Sequence, residues 1–532
     1  MTAKIPHAEL SRHSTRLDLW LAINGVVYDL TEFAPVHPGG LEFLLRYAGQ
    51  DATAAYNEVH SPDLIQTALP LFDQIKRIGL LDKSSPPTTS PHPPVTAPPK
   101  PPLSSLISTY DFMQVAHAAF PPKTDAFVFS AATDLITHNA NTSTYDLITL
   151  RPRVLRGVAA PISLATTLLS SPTKTPLFCA PTSLGKTVHP QGECELARGC
   201  RAAGVAQVVS TSASFTLREI FAATSPSSTS TSSPPSPTHT HPIFFQLYVD
   251  KVRSRSEALL RDAVALGIKG VFLTVDAPVA GKREADERVS VSGSSTIFTP
   301  MSGGVKAADD SSGGGLGRLV GGYVDASLCW DDIPWLRGCL PKGMPIVIKG
   351  VQTAMDAMRA MEAGCQGVVV SNHGGRSLDT ATPTVLVLLE LQRCCPGVFE
   401  RMEVFIDGGV MRGTDVFKAL CLGAKGVGIG RGVLYALGGY GAEGVRRYFE
   451  SECPGSFFWS PVLSCVGRVA NEDVVLNDEL QTTMKMCGIT SLDHVHPGLL
   501  STRAVDHLVP SELSEEHPYL TWRPKKSKLA KL

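Results

Sequence analysis

The sequence has little concentrated charge and no long apolar run. Of its 532 residues, 48 are Lys or Arg and 49 are Asp or Glu, a formal net charge of -1. Basic residues gather only near the end, at Lys525, Lys526, Lys528 and Lys531. Nucleic-acid binding needs a basic patch or stripe, so that class of partner is excluded. No apolar stretch reaches the roughly 20 residues of a membrane-spanning helix. The opening stretch, Met1 to Asp18, lacks the apolar core of a secretory signal. It mixes Arg12 and Arg16 with Glu9 and Asp18, which argues against a mitochondrial presequence. The twelve cysteines show no paired metal-ligand spacing. Contexts such as Phe178-Cys179-Ala180 and Leu420-Cys421-Leu422 read as core thiols in a reducing compartment. The terminal Ala530-Lys531-Leu532 is a close variant of the Ser-Lys-Leu peroxisomal address, on a basic tail, 511–532, expected to be exposed. Peroxisomal targeting is the expectation, with cytoplasm and mitochondrion as alternatives.

A chain this long exceeds one ordinary core, so two or more domains are expected. Residues 1–82 form the first. Trp20 to Ile23 and Val26 to Leu30 read as strands about Asn24-Gly25, a hairpin turn pair. Phe33-Ala34-Pro35-Val36-His37-Pro38-Gly39-Gly40 follows, then short helical pieces at 41–47, 52–58 and 63–69, with His60 between the last two. Two histidines on facing helical turns could hold one haem iron from both sides. Both axial positions would then be filled, which suits one-electron transfer. Residues 83–105 are rich in Pro, Ser and Thr, with four Pro-Pro pairs, and cannot bury enough apolar surface to fold. They read as a semi-rigid spacer, or else as a motif for a proline-recognition module.

The second domain, 106–510, opens with an amphipathic helix at Tyr110 to Ala119 and then shows eight apolar strand candidates. They are Leu177 to Ala180, Ala206 to Thr211, Phe244 to Val249, Val271 to Asp276, Ile346 to Gly350, Gly367 to Asn372, Val404 to Gly408 and Gly426 to Gly430. Helical patterns follow most of them, as at Glu193 to Ala203, Ser256 to Leu266, Thr353 to Ala363 and Thr414 to Leu422. The fold class is therefore α/β, a (β/α)8 barrel with insertions, preceded by a small α+β domain. Polar residues stand at or just past the strand ends: Thr182, Ser210, Gln246, Tyr248, Thr274, Asp276, Lys349, Ser371, His373, Asp407 and Arg431. Strand ends of a barrel share one mouth, where active sites form. Val368-Val369-Val370-Ser371-Asn372-His373-Gly374-Gly375-Arg376 delivers an imidazole and a guanidinium three residues apart, one able to move a proton, the other to grip a carboxylate. Asp407-Gly408-Gly409 and Gly428-Ile429-Gly430-Arg431 supply backbone N–H groups and a cation for a phosphate.

Two resemblances rest on these residues. Val26, Tyr28-Asp29-Leu30, His37-Pro38-Gly39-Gly40 and His60 closely resemble the cytochrome b5 haem-binding domain, which implies haem b with His37 and His60 as axial ligands. Ala180-Pro181-Thr182, Gln246-Leu247-Tyr248, Leu273 to Asp276, Arg283 to Asp286, Ile348-Lys349-Gly350, Ser371 to Arg376, Asp407-Gly408-Gly409 and Gly430-Arg431 resemble the FMN-dependent 2-hydroxy-acid dehydrogenases and oxidases. The order of the two resembles the flavocytochromes b2. The resemblance implies an L-2-hydroxy acid, lactate-like, oxidised by FMN, with electrons passed singly through haem b to an acceptor protein such as cytochrome c. It implies Arg376 and Arg283 on the substrate carboxylate, His373 as the proton acceptor, Asp276 as its orienting partner, and Tyr248 on the substrate hydroxyl. Lys349 would face the developing charge of the flavin. Ala180, Pro181, Thr182, Ser210, Gln246, Thr274 and Ser371 would hold its ring, and Asp407, Gly408, Gly409, Gly430 and Arg431 its ribityl phosphate. A homo-oligomer, a tetramer by resemblance, is expected.

The chain departs from that pattern at three positions. Phe127, in Phe127-Val128-Phe129-Ser130-Ala131, stands where the family has an active-site tyrosine; Met411 stands where the first of two arginines is usual; Gly432 stands where proline is frequent. Two inserts are also unusual: Ala223 to His241, expected as a disordered loop at the far end of the barrel, and Ser302 to Gly322, expected as a lid on the mouth side. Ser212 is expected near the pocket for the substrate side chain. A peroxide-producing oxidase and an electron carrier with an impaired barrel site are the competing readings.

Overall fold

The computed structural model describes residues 4–37, 44–45, 47–53, 56–57, 64–65, 74–82, 100–224, 241–289, 296–306, 315–450 and 475–510. The tail 511–532 and most of the insert 223–241 lie outside them. The chain divides into two compact units, one running to Lys100 and the other beginning at Pro101. Residues 101–105, placed in the spacer by composition, pack on the second unit. The Tyr440 hydroxyl donates to the Pro101 carbonyl and Arg447 Nη2 to the Ser104 carbonyl. Among the described residues no helix is long and apolar enough to cross a membrane.

The first unit holds a five-stranded sheet in the order Lys4–Ile5, Lys76–Leu81, Val26–Asp29, Asp18–Ile23, Ser14–Thr15. The central pair is the expected hairpin. Ile23 faces Val26, and Asn24 (φ 51°) and Gly25 (φ 78°) both adopt the left-handed turn geometry that a two-residue loop demands. Alternation then separates the faces. Leu19, Leu21, Ile23 and Tyr28 pack on one side with Leu30 and Ala34, while Ala22 and Val27 meet Leu10 and Leu81 on the other.

The second unit is a closed barrel of eight parallel strands. In chain order they are β1 (Leu177–Cys179), β2 (Ala206–Ser210), β3 (Ile243–Leu247), β4 (Val271–Thr274), β5 (Ile346–Val351), β6 (Gly367–Val370), β7 (Glu403–Asp407) and β8 (Gly426–Ile429). All eight expected strands are present, in sequence order around the ring. The period of two explains the interior. Phe178, Val208, Phe244, Phe272, Val347, Val369 and Phe405 point inward and form one apolar layer, closed below by Leu168 and Leu169. Phe272 lies 5.5–6.3 Å, ring centre to ring centre, from Phe178, Phe244 and Phe405. Each such side chain contributes about 1.5–3 kcal/mol by leaving water. Two residues further along each strand the same inward face carries Ala180, Ser210, Gln246, Thr274, Lys349, Ser371 and Asp407. The polar layer at the mouth is thus a direct consequence of strand periodicity above an aromatic floor.

Candidate active site

Above that floor lies a cavity of about 540 Å³. His373, Tyr248, Arg376, Arg283 and Lys349 line it, as do Ala180, Pro181 and Thr182 from the loop after β1. Asp407, Gly408 and Gly409 after β7, and Gly430 and Arg431 after β8, line it as well. Ser210, Gln246, Thr274 and Ser371 are buried just behind its wall, and the Asp276 carboxylate is fully buried behind His373. Gly317 and Gly321, from the expected lid segment, also line the cavity, within a helix Leu316–Gly321. Ser212 does not line it. Its hydroxyl is fully buried and meets the Tyr323 hydroxyl at 3.2 Å, so the room expected there is taken by a phenol.

Ser371 and His373 are placed by a strained turn. His373 has φ 59°, a left-handed backbone that non-glycine residues seldom adopt, and Gly374 and Gly375 continue it at 63° and 77°. The Ser371 hydroxyl accepts from the His373 N–H (3.1 Å) and from Lys349 Nζ (2.8 Å), and donates to Asp276 Oδ2 (3.5 Å). His373 Nδ1–H donates to Asp276 Oδ1 at 2.8 Å. That bond fixes the tautomer, leaving Nε2 as the lone-pair face toward the cavity, 3.5 Å from the Tyr248 hydroxyl. Burial works to raise the Asp276 carboxyl, but His373, through its Nδ1–H bond and the positive charge it carries once protonated, and the Lys349 ammonium outweigh it and hold the carboxyl below its ordinary range. Gly350 (φ 109°) makes the approach possible, because a Cβ there would lie 2.5 Å from the Asp276 Cβ.

Three guanidinium groups gather around the same space. Arg376 reaches the carbonyls of Phe127 (2.8 Å), Val128 (3.1 Å) and Ser130 (2.7 Å), all at the C-terminal end of helix Pro122–Phe129, where the helix dipole favours a cation. Its Cζ stands 5.2 Å from the Phe127 ring centre. Arg283 Nε donates to the Arg376 carbonyl at 3.3 Å, and its guanidinium crosses above Gly317, where a Cβ would come within 2.5 Å of Nη1. Burial, then repulsion from Arg283 and Arg431, drives the Arg376 pKa well down. The buried acid that acts on Arg283 and Arg376, Asp286, is already paired with Lys123 at 2.9 Å and accepts from the Gly317 N–H at 3.1 Å, and Asp407 is paired with Lys349. The cavity therefore has an excess of buried positive charge, which fits anionic ligands such as a carboxylate and a phosphate.

The residues expected to hold FMN fit such a group. Lys349 Nζ sits 2.9 Å from Asp407 Oδ2, and although burial alone would lower its pKa, Asp407 and Asp276 raise it. Asp407 Oδ1 is buried and, among the described residues, has no hydrogen-bond partner, so it is an acceptor open to a hydroxyl of a ribityl chain. Ser210 Oγ donates to Gln246 Oε1 (3.0 Å) and Gln246 Nε2 to Thr274 Oγ1 (3.0 Å), a fixed, buried polar chain that would help to hold the flavin ring. Gly432 also has its reason. A Cβ at that position would fall on the Tyr448 phenol, whose hydroxyl is bonded to Thr109 Oγ1 at 3.0 Å, so a proline is excluded by the tyrosine beneath it. In the first unit His37 is described, its ring edge-on to Phe33 at 5.7 Å; His60, Gly39 and Gly40 lie outside the described residues.

Sequence reasoning missed helix Ile136–Leu147. Asn141 exchanges two 2.8 Å bonds with Asn372 and so anchors the turn that carries His373. His138, from the same helix, lines the cavity. Their spacing of three residues on one helix face was the available signal.

Comparison with known proteins agrees with this geometry. The model for the FMN-dependent dehydrogenase family matches residues 116–451, and that for the cytochrome b5-like haem/steroid-binding domain matches residues 6–82. An L-lactate dehydrogenase (cytochrome) of Wickerhamomyces anomalus is 35% identical over 95% of this chain and 82% of its own length. A peroxisomal (S)-2-hydroxy-acid oxidase of Oryza sativa subsp. japonica is 36% identical over 73% of this chain and 94% of its own. Among solved structures, a mutant flavocytochrome b2 with pyruvate bound superposes with a TM-score of 0.61 at 33% identity, covering 80% of this chain and 94% of that one.

Proposed function

The chain belongs to the FMN-dependent dehydrogenase family, in the form that carries a cytochrome b5-like domain ahead of the barrel, and on that premise we propose how its own residues divide the work. It oxidises an L-2-hydroxy acid to the 2-oxo acid and passes the electrons through haem b to an external acceptor. FMN supplies the two-electron acceptor and haem b the one-electron relay. The oxidase relative matches only 73% of the chain, whereas the cytochrome-linked one matches 95%, which favours the dehydrogenase.

The observation that carries the reading is the His373–Asp276 pair at 2.8 Å, set in one cavity with Arg283, Arg376 and Lys349. Arg376 and Arg283 bind the substrate carboxylate, with their forks pre-positioned by backbone carbonyls. Tyr248 holds the substrate hydroxyl beside His373 Nε2. His373 takes the proton released as the substrate carbon is oxidised, and Asp276 stabilises the resulting imidazolium. Lys349 holds a buried ammonium where negative charge develops, at no reorganisation cost.

The full-length protein mixed anaerobically with a series of L-2-hydroxy acids tests this. Flavin absorbance is expected to bleach first, followed by reduction of the haem. Bleaching without haem reduction would favour an oxidase, and no bleaching with any acid would remove the catalytic assignment. His373→Gln is expected to slow bleaching by about 10²–10⁴-fold, the usual worth of a positioned base.

A further inference from the structure

Met411 leaves one end of the cavity short of a cation. Arg412 does not turn inward to replace it: Nη1 pairs with Glu479 at 2.8 Å, and its Cζ lies 5.1 Å from the Tyr110 ring centre. Arg431 does line that end, with Nη2 donating to the Gly374 carbonyl at 2.5 Å. Its Nη1 lies 3.4 Å from Nε2 of His138, and both side chains face the cavity. An arginine only donates, so His138 must present a lone pair at Nε2 and be uncharged in this arrangement. The charged groups acting on the imidazole are cations, Arg431 from the helix after β8 and Arg376 from the turn after β6. Burial first, then these two, hold it down at about 3. The acid that caps the start of its helix from the segment after the β6 turn, Asp379, is spent on the N–H groups of Asp134 and Thr137. A phosphate beside Arg431 would reverse this field.

We infer that His138 completes the phosphate subsite of FMN: as the phosphate docks beside Arg431, the imidazole takes a proton from solvent, changes from acceptor to donor, and supplies the second positive charge that Met411 does not. The inference rests on FMN occupying the cavity. Because binding takes up a proton, affinity for FMN falls as pH rises, while affinity for riboflavin, which lacks the phosphate, does not.

The test is a flavin-fluorescence titration of full-length protein stripped of its flavin, with FMN and with riboflavin, between about pH 6 and 8, where a histidine relieved of its two repelling cations titrates. His138→Leu, and His138→Gln as the variant that keeps the polar packing, are each expected to weaken FMN by about tenfold or more, as for a lost charge-assisted bond. Both should leave riboflavin unchanged and remove the histidine's part of the pH slope. The ionisation of the phosphate itself is common to all variants and cancels in the comparison. Met411→Arg in the His138→Leu background should restore FMN affinity without restoring that slope. Unchanged FMN affinity in both His138 variants, or an equal loss for riboflavin, overturns the inference. A wild-type protein that binds neither flavin overturns the cofactor assignment itself, and this inference with it.

Discussion

Phe127 keeps one half of what a tyrosine would do there. Its ring lies 5.2 Å from the Arg376 guanidinium and lines the cavity, so the packing against the cation is retained while the hydroxyl is absent. Phe127→Tyr is expected to add a donor to the substrate carboxylate and lower KM by about tenfold, with kcat changed little, since a hydrogen bond to a charged group contributes on the order of 1.5–3 kcal/mol. Steady-state kinetics with the preferred acid reads this directly; an unchanged KM would mean the carboxylate sits elsewhere. Single residues were the most legible level of this chain. His373, Asp276 and Lys349 stand beside strand ends in the sequence; in the structure His373, Lys349, Arg283 and Arg376 line one cavity, with Asp276 buried behind His373. His138 and Asn141 were harder to read, because they act from a helix before the first barrel strand, and their three-residue spacing marks a shared helix face without saying that it meets the mouth. Ser212 misled for a different reason: its small side chain suggested space that Tyr323, more than a hundred residues later, fills.

At the scale of elements, two local devices shape the cofactor end. Gly432 opens helix Arg431–Phe449, and the same helix later supplies Tyr448, which comes back beneath Gly432. Gly432→Ala is expected to destabilise the barrel by about 1–3 kcal/mol through overpacking, and by less in a Tyr448→Phe background, where the clashing oxygen is gone. Denaturant melts of the four proteins of that cycle measure the coupling; strict additivity would contradict the contact. The second device is Asp415, whose Oδ2 accepts from the N–H groups of Met411 and Arg412. Burial above all raises its carboxyl to about 6. A raised folded pKa means that the stability it confers is present in full below the unfolded value, near 4, and is lost as pH rises through about 6. Asp415→Asn, which keeps an acceptor and cannot ionise, should therefore gain on wild type by on the order of 2–3 kcal/mol between pH 4 and pH 7. Melts at both pH values check it; an equal difference at both would mean the carboxyl titrates normally. Strand positions were legible to within a residue or two because most are short apolar runs, buried on both faces, that stop at a polar residue. The irregularity between Lys349 and Val351, where the register between β5 and β6 shifts, could not be read, since Gly350 there meets Asp276 from the loop after β4, far away in the sequence.

At the scale of the whole molecule, the two units have separate cores. Leu19, Leu21, Ile23 and Tyr28 pack within the first, and the barrel interior of Phe178, Phe244, Phe272 and Phe405 closes on itself in the second. Among the described residues, those that line the catalytic cavity belong to the second unit. Oxidation of the acid and delivery of single electrons are therefore expected to be separable. A chain beginning at Pro101 should bind FMN and bleach with the substrate at close to the full-length rate, because no group in the cavity is removed. The same chain should lose haem absorbance and reduce a one-electron acceptor protein at least about tenfold more slowly than the full-length enzyme, since reaching that acceptor then requires bypassing the relay. Calorimetry of the full chain should show two transitions, as expected for units that do not share a core. If the shortened chain failed to fold, the first unit would be contributing to the stability of the barrel. If it folded, bleached and still reduced the acceptor at the full rate, the haem would not be the route by which electrons leave.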